Sequence, residues 1–382
     1  MSGVRFDASE LCGEACAEAG LEDFGPQDFR EGLLALCETY DANPFHETGR
    51  VRNRKQVLRW LVTRLRVVDA LHRHPEITTR PIPRPWFLTG MPRSGTSALF
   101  NLLAAHPAAR ALLNWEARIP EPLEGLAPDA PDPRRAALAA SYERGRAANA
   151  EFAAVHFADV DTPEECALLL GSSFQGVQTG VEVMLEPYAS WYRDQPRDAL
   201  YAWHRKMVHV LDWQRPGERW LLKTPAHMWG IEALLAAYPD ARIVWSHRDP
   251  VTSIASLCSL THLLMRAWME VDPKRLGPRV LDFYALSLER GLAARKRCDP
   301  TRFADVHHDA IARDPLAVAE SLHRHFGEPF ESDARDAIAA HVAAHPKGKH
   351  GEHRYRLEDY ALTEERVRER FAFYDSERGR EA

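Results

Sequence analysis

Cysteine is scarce in this sequence, and its cysteines lie far apart. Six cysteines are spread over 382 residues, and no pair has the spacing of zinc ligands, which argues against a disulfide framework of the kind found in small secreted domains. We interpret the cysteines as reduced thiols. His341 and His345 could share one helix face, but neither a cysteine nor a carboxylate completes a recognised metal signature. We therefore expect no metal.

Long hydrophobic runs and an excess of positive charge are also missing. No apolar segment approaches the length of a membrane span. The N-terminal stretch MSGVRFDASELCGEACAEAG contains acids and no apolar core, which is untypical of a secretory signal or a transit peptide. The expected location is the cytoplasm. With 49 lysines and arginines against 55 aspartates and glutamates, the formal net charge is -6, which argues against nucleic acid as a partner.

Helical periodicity dominates the first part of the chain. Residues 26–44 and 51–73 place apolar side chains at helical spacing. The prolines within 80–85 cannot join the interior of a sheet. This pattern predicts an N-terminal helical region, residues 1–80, followed by a main domain, residues 81–382.

In the main domain, short apolar strands are followed by helical segments. The predicted strand and helix pairs are 86–88 with 96–105, 219–225 with 229–237, and 241–247 with 251–260, and further candidate strands are 303–306 and 109–113. Strands that alternate with helices are typical of a parallel sheet. We predict an α/β fold of three layers, P-loop-like, in which helices flank a central parallel sheet.

The loop after the first of these strands has the spacing of a phosphate-binding loop. Gly90 to Ser97 match G-x-x-x-x-G-x-[ST], except that Thr96 stands where a nucleoside triphosphatase has its lysine. The first backbone N–H groups of the next helix favour an oxyanion, and Gly95 lets that anion approach closely. Because a triphosphate would need the lysine, the loop suits a smaller anion.

Two separate segments of this chain resemble the donor site of sulfotransferases. The stretch from Pro92 to Ser97 resembles their 5'-phosphosulfate loop, and the enzymes transfer a sulfuryl group from 3'-phosphoadenosine 5'-phosphosulfate (PAPS) to an acceptor. Their second hallmark is an arginine followed eight residues later by a serine, which hold the 3'-phosphate, and Arg248 and Ser256 have that separation. The donor-binding loop residues that the resemblance implies are Pro92, Arg93, Ser94, Gly95, Thr96 and Ser97.

A third segment resembles the Lys-x-Pro segment of carbohydrate and protein-tyrosine sulfotransferases, and it is closer still to the broad bacterial group. This is LLKTPAH, residues 221–227. The resemblance implies that Lys223 replaces the missing loop lysine and stabilises charge on the bridging oxygen as the sulfuryl group leaves. It also implies that a basic C-terminal loop covers the nucleotide, with the candidate residues Lys347, Lys349, His350 and Gly351.

Several residues are candidates for the general base that takes the acceptor's proton. Glu116 ranks first, because Asn114-Trp-Glu-Ala-Arg118 resembles the Gly-Glu-Glu-Thr-Arg stretch that carries the catalytic glutamate of protein-tyrosine sulfotransferases. Its rivals are His156 and the neighbouring Glu164 and Glu165. His227 is a further catalytic candidate, which would orient the acceptor or the sulfuryl group.

The predicted function is in-line transfer of a sulfuryl group from PAPS to a hydroxyl or amine of a small-molecule acceptor, without a metal. The alternatives are a P-loop small-molecule kinase, a sulfotransferase that uses an aryl sulfate donor, and a non-enzymatic interaction protein with the same fold. Thr96 argues against the kinase, as does the lack of an aspartate that ends a strand, since Asp249 is better placed to begin a helix. The identity of the acceptor and the oligomeric state stay open.

Overall fold

The N-terminal part of the chain is helical, as the sequence predicts. A computed structural model describes residues 3–123, 125, 130–148, 159–177, 179–345 and 356–374. The chain begins with helices α1 (Ala8–Ala19), α2 (Phe29–Ala42) and α3 (Glu47–Arg73). Asp7 caps α1 by accepting a hydrogen bond from the backbone N–H of Glu10.

A five-stranded parallel sheet forms the centre of the molecule. Its strands are β1 (Trp86–Gly90), β2 (Ala109–Ala111), β3 (Arg219–Lys223), β4 (Arg242–His247) and β5 (Phe303–His307). Their order is β2-β3-β1-β4-β5, and each neighbouring pair is parallel. The predicted α/β class and all five predicted strands are therefore confirmed. Later strands add to both sides of β1, so the carboxyl end of β1 lies at a topological switch point, where ligands bind in open α/β sheets.

Helices connect and cover the strands on both faces. Beyond α3 they are α4 (Thr96–Ala104), α5 (Asn114–Arg118), α6 (Pro133–Ala148), α7 (Cys166–Leu169), α8 (Tyr188–Asp194), α9 (Asp198–Gln214), α10 (Ile231–Ala237), α11 (Pro250–Arg266), α12 (Pro273–Arg295), α13 (His308–Arg313), α14 (Pro315–Phe326), α15 (Ser332–Ala344) and α16 (Glu364–Arg370). Within the described ranges, no helix is both long and apolar enough to cross a membrane.

The segment after β3 differs from the sequence prediction at its start. The helix expected from residue 229 is preceded by a 3-10 helix, Pro225–Gly230, and α10 follows it. Thr224 caps this 3-10 helix, because its hydroxyl accepts from the backbone N–H of Ala226. Lys223 is the last residue of β3 and therefore lies at the carboxyl edge of the sheet.

Alternate residues of the strands pack into two buried layers, because successive side chains of a strand point to opposite faces. On one face, Phe87 and Trp245 belong to the same buried cluster as Leu61 of α3. On the other face, Trp86 and Val244 pack with residues of α4 and α14. The N-terminal helices therefore share a core with the sheet. The boundary between residues 80 and 81 stays a prediction.

Candidate active site

The loop between β1 and α4 is shaped by two glycines. Gly90 ends β1 with a φ of 128°, and a Cβ atom there would lie 2.4 Å from the carbonyl oxygen of Ser246. Gly95, with a φ of 92°, stands directly before α4. Both positions are in the left-handed region that glycine adopts without strain. The turn leaves the first N–H groups of α4 available to an anion at the switch point.

Ser94 lies beneath this loop, and its hydroxyl has protein partners. Its side chain is fully buried, its Oγ donates to the carbonyl oxygen of Met91 at 2.6 Å, and it also bonds the Ser246 hydroxyl. The resemblance to sulfotransferases implies that Ser94 is one of the loop residues that bind the donor. The geometry corrects that expectation for the Ser94 hydroxyl, because its bonds to Met91 and Ser246 fix the shape of the loop. Ser97, in contrast, is exposed.

The second predicted hallmark lies directly beside the loop. Arg93 Nε donates to Ser256 Oγ at 3.0 Å, and Arg248 Nη1 donates to the carbonyl oxygen of Arg93 at 2.8 Å. The two guanidinium groups are close, and burial together with the positive charge of Arg93 lowers the pKa of Arg248. Two neighbouring cations with partly filled hydrogen-bonding capacity are suited to a dianionic phosphate.

The residue before Arg248 belongs to a hydrogen-bond network that the sequence did not reveal. The preceding residue, His247, ends β4, where its Nε2 bonds Asp305 at 2.7 Å and its Nδ1 bonds the Tyr374 hydroxyl at 2.7 Å. Arg295 also donates to Asp305. This network connects the end of β4 to β5, to α12 and to the C-terminal part of the described chain. It therefore fixes the backbone from which the Arg248 side chain extends.

Lys223 and Glu165 meet at the edge of the loop. Lys223 Nζ lies 2.5 Å from Glu165 Oε1 and donates to Ser97 Oγ at 3.2 Å. Thr224 Oγ1 donates to the other carboxylate oxygen of Glu165 at 3.3 Å. The lysine is 3% exposed. A cation from β3 thus reaches the loop where a nucleoside triphosphatase would use a lysine of the loop itself.

A cleft of about 420 Å³ adjoins this pair. Its volume is typical of a small-molecule site. Pro92, Glu164, Glu165 and Thr224 are among the residues that line it. Much of the remaining lining is apolar or aromatic: Trp60, Leu168, Leu169, Val177, Val183, Trp229, Leu257, Leu260, Leu264 and Phe283. Three arginines, Arg52, Arg59 and Arg118, also line it. The carboxylate of Glu165 therefore lies between the anion loop and a cleft that is largely apolar.

Comparison with known protein families identifies the group to which this architecture belongs. The family model described as "Sulfotransferase family" matches residues 85–332, which include the loop, Lys223, Arg248 and Ser256. The chain belongs to the sulfotransferase family.

Solved structures of this family superpose on nearly the whole chain. The sulfotransferase STF1 of Mycobacterium tuberculosis is 33% identical with a TM-score of 0.85, over 98% of this chain and 100% of that one. The sulfotransferase STF9 of Mycobacterium avium is 30% identical with a TM-score of 0.89, over 97% and 96%. These similarities include the N-terminal helices as well as the sheet.

A curated relative is the omega-hydroxy-beta-dihydromenaquinone-9 sulfotransferase Stf3 of Mycobacterium bovis. It is 24% identical over 184 residues, which make up 47% of this chain and 47% of the relative. The match thus spans about half the length of that protein.

Glu116, which the sequence ranks first as the general base, lies outside the cleft of this sulfotransferase-family fold. It is 1% exposed on α5, and both of its oxygens are bonded by Arg110, at 2.8 and 2.7 Å, and by Arg215, at 2.9 and 3.0 Å. Burial raises the pKa of Glu116, but the two guanidiniums outweigh that effect, and the pKa lies below its ordinary value. Glu116 does not line the cleft, so the expectation that it acts as base is corrected: the geometry gives it a structural role.

Replacing Glu116 with glutamine is expected to destabilise the fold by about 3–5 kcal/mol, because the change leaves the buried Arg110 without its countercharge. Since the folded-state pKa of Glu116 is lowered, its contribution is present above the unfolded-state pKa and is lost as the pH falls through the folded-state value. Urea unfolding at several pH values checks both points. Equal stability of variant and wild type near neutral pH would contradict this assignment.

His227 is also outside the cleft, which corrects its predicted role as an orienting group. It is fully buried in the 3-10 helix after β3, and its Nδ1 bonds the Tyr201 hydroxyl at 2.8 Å. Burial lowers the pKa of His227 well below its ordinary value, so it is neutral. The other predicted site residues, His156, Lys347, Lys349, His350 and Gly351, lie outside the described residues.

Proposed function

We propose that this protein transfers a sulfuryl group from PAPS to a hydroxyl of an apolar small molecule, with Glu165 as the general base. The contact of Lys223 with both Glu165 and Ser97 carries the proposal. It puts a cation and a carboxylate together where the anion loop meets the cleft. A transfer enzyme needs both groups at that junction, because one reacting oxygen gains negative charge while the other loses a proton.

The donor side of the site fits a nucleotide with separate 5' and 3' anionic groups. The loop around Gly95 and the start of α4 would hold the 5'-phosphosulfate, whose charge is favoured at a helix N-terminus. Arg248 and Ser256 would hold the 3'-phosphate. Arg93 belongs to the loop and also bonds Ser256, so it would be able to contact either the 5'-phosphosulfate or the 3'-phosphate. PAPS carries both anions, whereas an aryl sulfate would leave Arg248 without a ligand.

The proposed reaction moves one group and one proton. The acceptor oxygen attacks sulfur, a new S–O bond forms, and the bond between sulfur and the 5'-phosphate oxygen breaks. Glu165 takes the acceptor's proton. Lys223 stabilises the charge that develops on the departing phosphate oxygen and pairs with the Glu165 carboxylate. Positioning and electrostatic stabilisation supply the rate, as in phosphoryl transfer.

The cleft lining favours an acceptor that combines an apolar body with a hydroxyl. Trp229, Phe283 and several leucines provide apolar surface, whereas Glu165 and Thr224 provide polar groups beside the reaction centre. The name of the curated relative Stf3 gives an omega-hydroxylated dihydromenaquinone as its substrate, which is a hydroxyl on a largely apolar molecule. We propose a similar class of acceptor for this chain.

The test is a transfer assay with PAPS and three acceptors: a long-chain primary alcohol, an ω-hydroxy fatty acid and a disaccharide. We expect release of 3'-phosphoadenosine 5'-phosphate (PAP) and a sulfated product with one or both of the apolar acceptors, and less with the disaccharide. A parallel assay with ATP and magnesium should give no phosphorylated product. Efficient transfer to the disaccharide alone would contradict the proposed acceptor class, and phosphorylation would contradict the reaction.

A further inference from the structure

Behind the proposed active site, three potential metal ligands meet in the core. They are Cys166, the first residue of α7, His204 on α9 and His227 in the 3-10 helix after β3. Their ligand atoms all lie within 4.8 Å of one another. Each side chain is fully buried. The cluster lies on the face of the sheet where Phe87 packs, and Phe87 contacts both imidazole rings.

The hydrogen bonds of the two histidines leave one nitrogen of each available. His204 Nδ1 bonds the Tyr238 hydroxyl at 2.9 Å, and His227 Nδ1 bonds the Tyr201 hydroxyl at 2.8 Å. Among the described residues, neither Nε2 atom has a hydrogen-bond partner. A buried polar atom without a partner is costly. A histidine that ligates a metal uses one nitrogen for the ion and hydrogen-bonds the other, and within the described part of the chain each of these rings has one bonded and one unpartnered nitrogen.

Both histidines are held neutral, which is the form that binds metals. Burial lowers the pKa of His204 to about 3 and lowers that of His227 well below its ordinary value. Burial also raises the pKa of the Cys166 thiol to about 12, so an ion must displace the thiol proton when it binds. In the absence of an ion the cluster is uncharged.

We propose that Cys166, His204 and His227 bind a thiophilic d10 ion, Zn²⁺ or Cu⁺. Ligand atoms at about 2.0–2.3 Å from a tetrahedral zinc ion are about 3.3–3.6 Å apart, and the three ligand atoms here lie within 4.8 Å of one another, so side-chain movements of about 1 Å bring them to one ion. Thiolate and imidazole ligands favour these two metals. One thiolate and two neutral imidazoles balance the charge of Cu⁺ and leave Zn²⁺ with one positive charge, next in sequence to the carboxylate of Glu165.

The ion would join the two segments that carry the proposed catalytic pair. Cys166 directly follows Glu165, and His227 lies four residues after Lys223. A metal that links Cys166 to His227 would therefore fix the backbone on both sides of the ion pair. This is a positioning role, and the binding site itself does not depend on the proposed reaction.

The first test is elemental analysis of the full chain, purified without metal-affinity resin or chelator. We expect one zinc or copper per chain. Cobalt loading should then give an absorption band from thiolate-to-cobalt charge transfer, which a surface site built from histidines alone, such as the stacked pair His341 and His345, would not give. Protein that contains no zinc or copper and shows no such band after loading would overturn the proposal.

Two variants and a matched control assign the site. Cys166→Ser and His204→Gln should each lose the bound metal and the cobalt band. Cys258→Ser should keep both, because Cys258 is an equally buried cysteine outside the cluster. An unchanged cobalt band in Cys166→Ser would contradict the proposal. If neither variant folds, the metal content and the cobalt spectrum of the wild-type protein still decide whether the chain binds the proposed ion.

Discussion

Glu165→Gln is expected to lower the turnover number of sulfuryl transfer by about 10²–10⁴-fold, the range for loss of a general base. The amide cannot accept the acceptor's proton, although it has nearly the shape of the carboxylate. The affinity for PAP should change little, because Glu165 contacts Lys223 and Thr224 and does not contact Arg93 or Arg248. Steady-state assays with calorimetric PAP titration separate the two effects.

The neighbouring Glu164 provides the matched control for this experiment. It lines the same cleft, and burial raises its pKa, which makes it a stronger base than an ordinary carboxylate and the main rival of Glu165. The two residues differ in that Lys223 and Thr224 bond Glu165. Its side chain accepts a hydrogen bond from the backbone N–H of Glu165. Glu164→Gln should keep most of the turnover. If Glu164→Gln is inactive and Glu165→Gln is not, the two assignments must be exchanged.

Lys223→Met is expected to lower the turnover number by about 10²–10³-fold, the range for loss of one group that stabilises developing charge. Methionine keeps much of the aliphatic volume against Phe100, above whose ring Lys223 Nζ lies at 5.8 Å. The variant therefore tests the charge more than the packing. Assays at saturating PAPS measure the effect, and Lys274→Met at the exposed start of α12 is the control.

Lys223 and Glu165 are in direct contact, so the double variant Lys223→Met with Glu165→Gln should not be the sum of the single ones. Residues that share an ion pair show interaction energies of about 0.5–3 kcal/mol. Purely additive losses would indicate that the two groups act in separate steps. Wild-type turnover in Lys223→Met would remove the lysine from the proposed mechanism.

The sheet and the donor side of the site could be predicted because their signals are local. Each strand is a short apolar run followed by a helix, and Arg93 and Gly95 lie within one short motif. Parallel strands end at the same edge of a sheet, so the sequence alone predicts that Lys223 and Arg248 lie near the loop. The structure brings these side chains together, and their roles in binding and transfer stay predictions.

Local sequence could not show which glutamate lines the cleft. Glu116 lies in a short segment similar to one with a catalytic glutamate, but its partner Arg215 is 99 residues away along the chain. Glu165 meets Lys223 across 58 residues. The position of each glutamate thus depends on a side chain that is distant in sequence, Arg215 for Glu116 and Lys223 for Glu165. The burial of His227 could not be predicted for the same reason, since it depends on contacts with Tyr201 and Phe87, which are distant in sequence.

The most direct test of the account is calorimetric titration with PAP, with adenosine 5'-phosphate as the ligand that lacks the 3'-phosphate. We expect micromolar binding that requires the 3'-phosphate. Arg248→Glu should weaken it by about 10²-fold or more, since one charge-assisted hydrogen bond is worth about 1.5–3 kcal/mol. Equal affinity for both nucleotides, or wild-type PAP affinity in Arg248→Glu, would contradict a donor site built on Arg248 and Ser256.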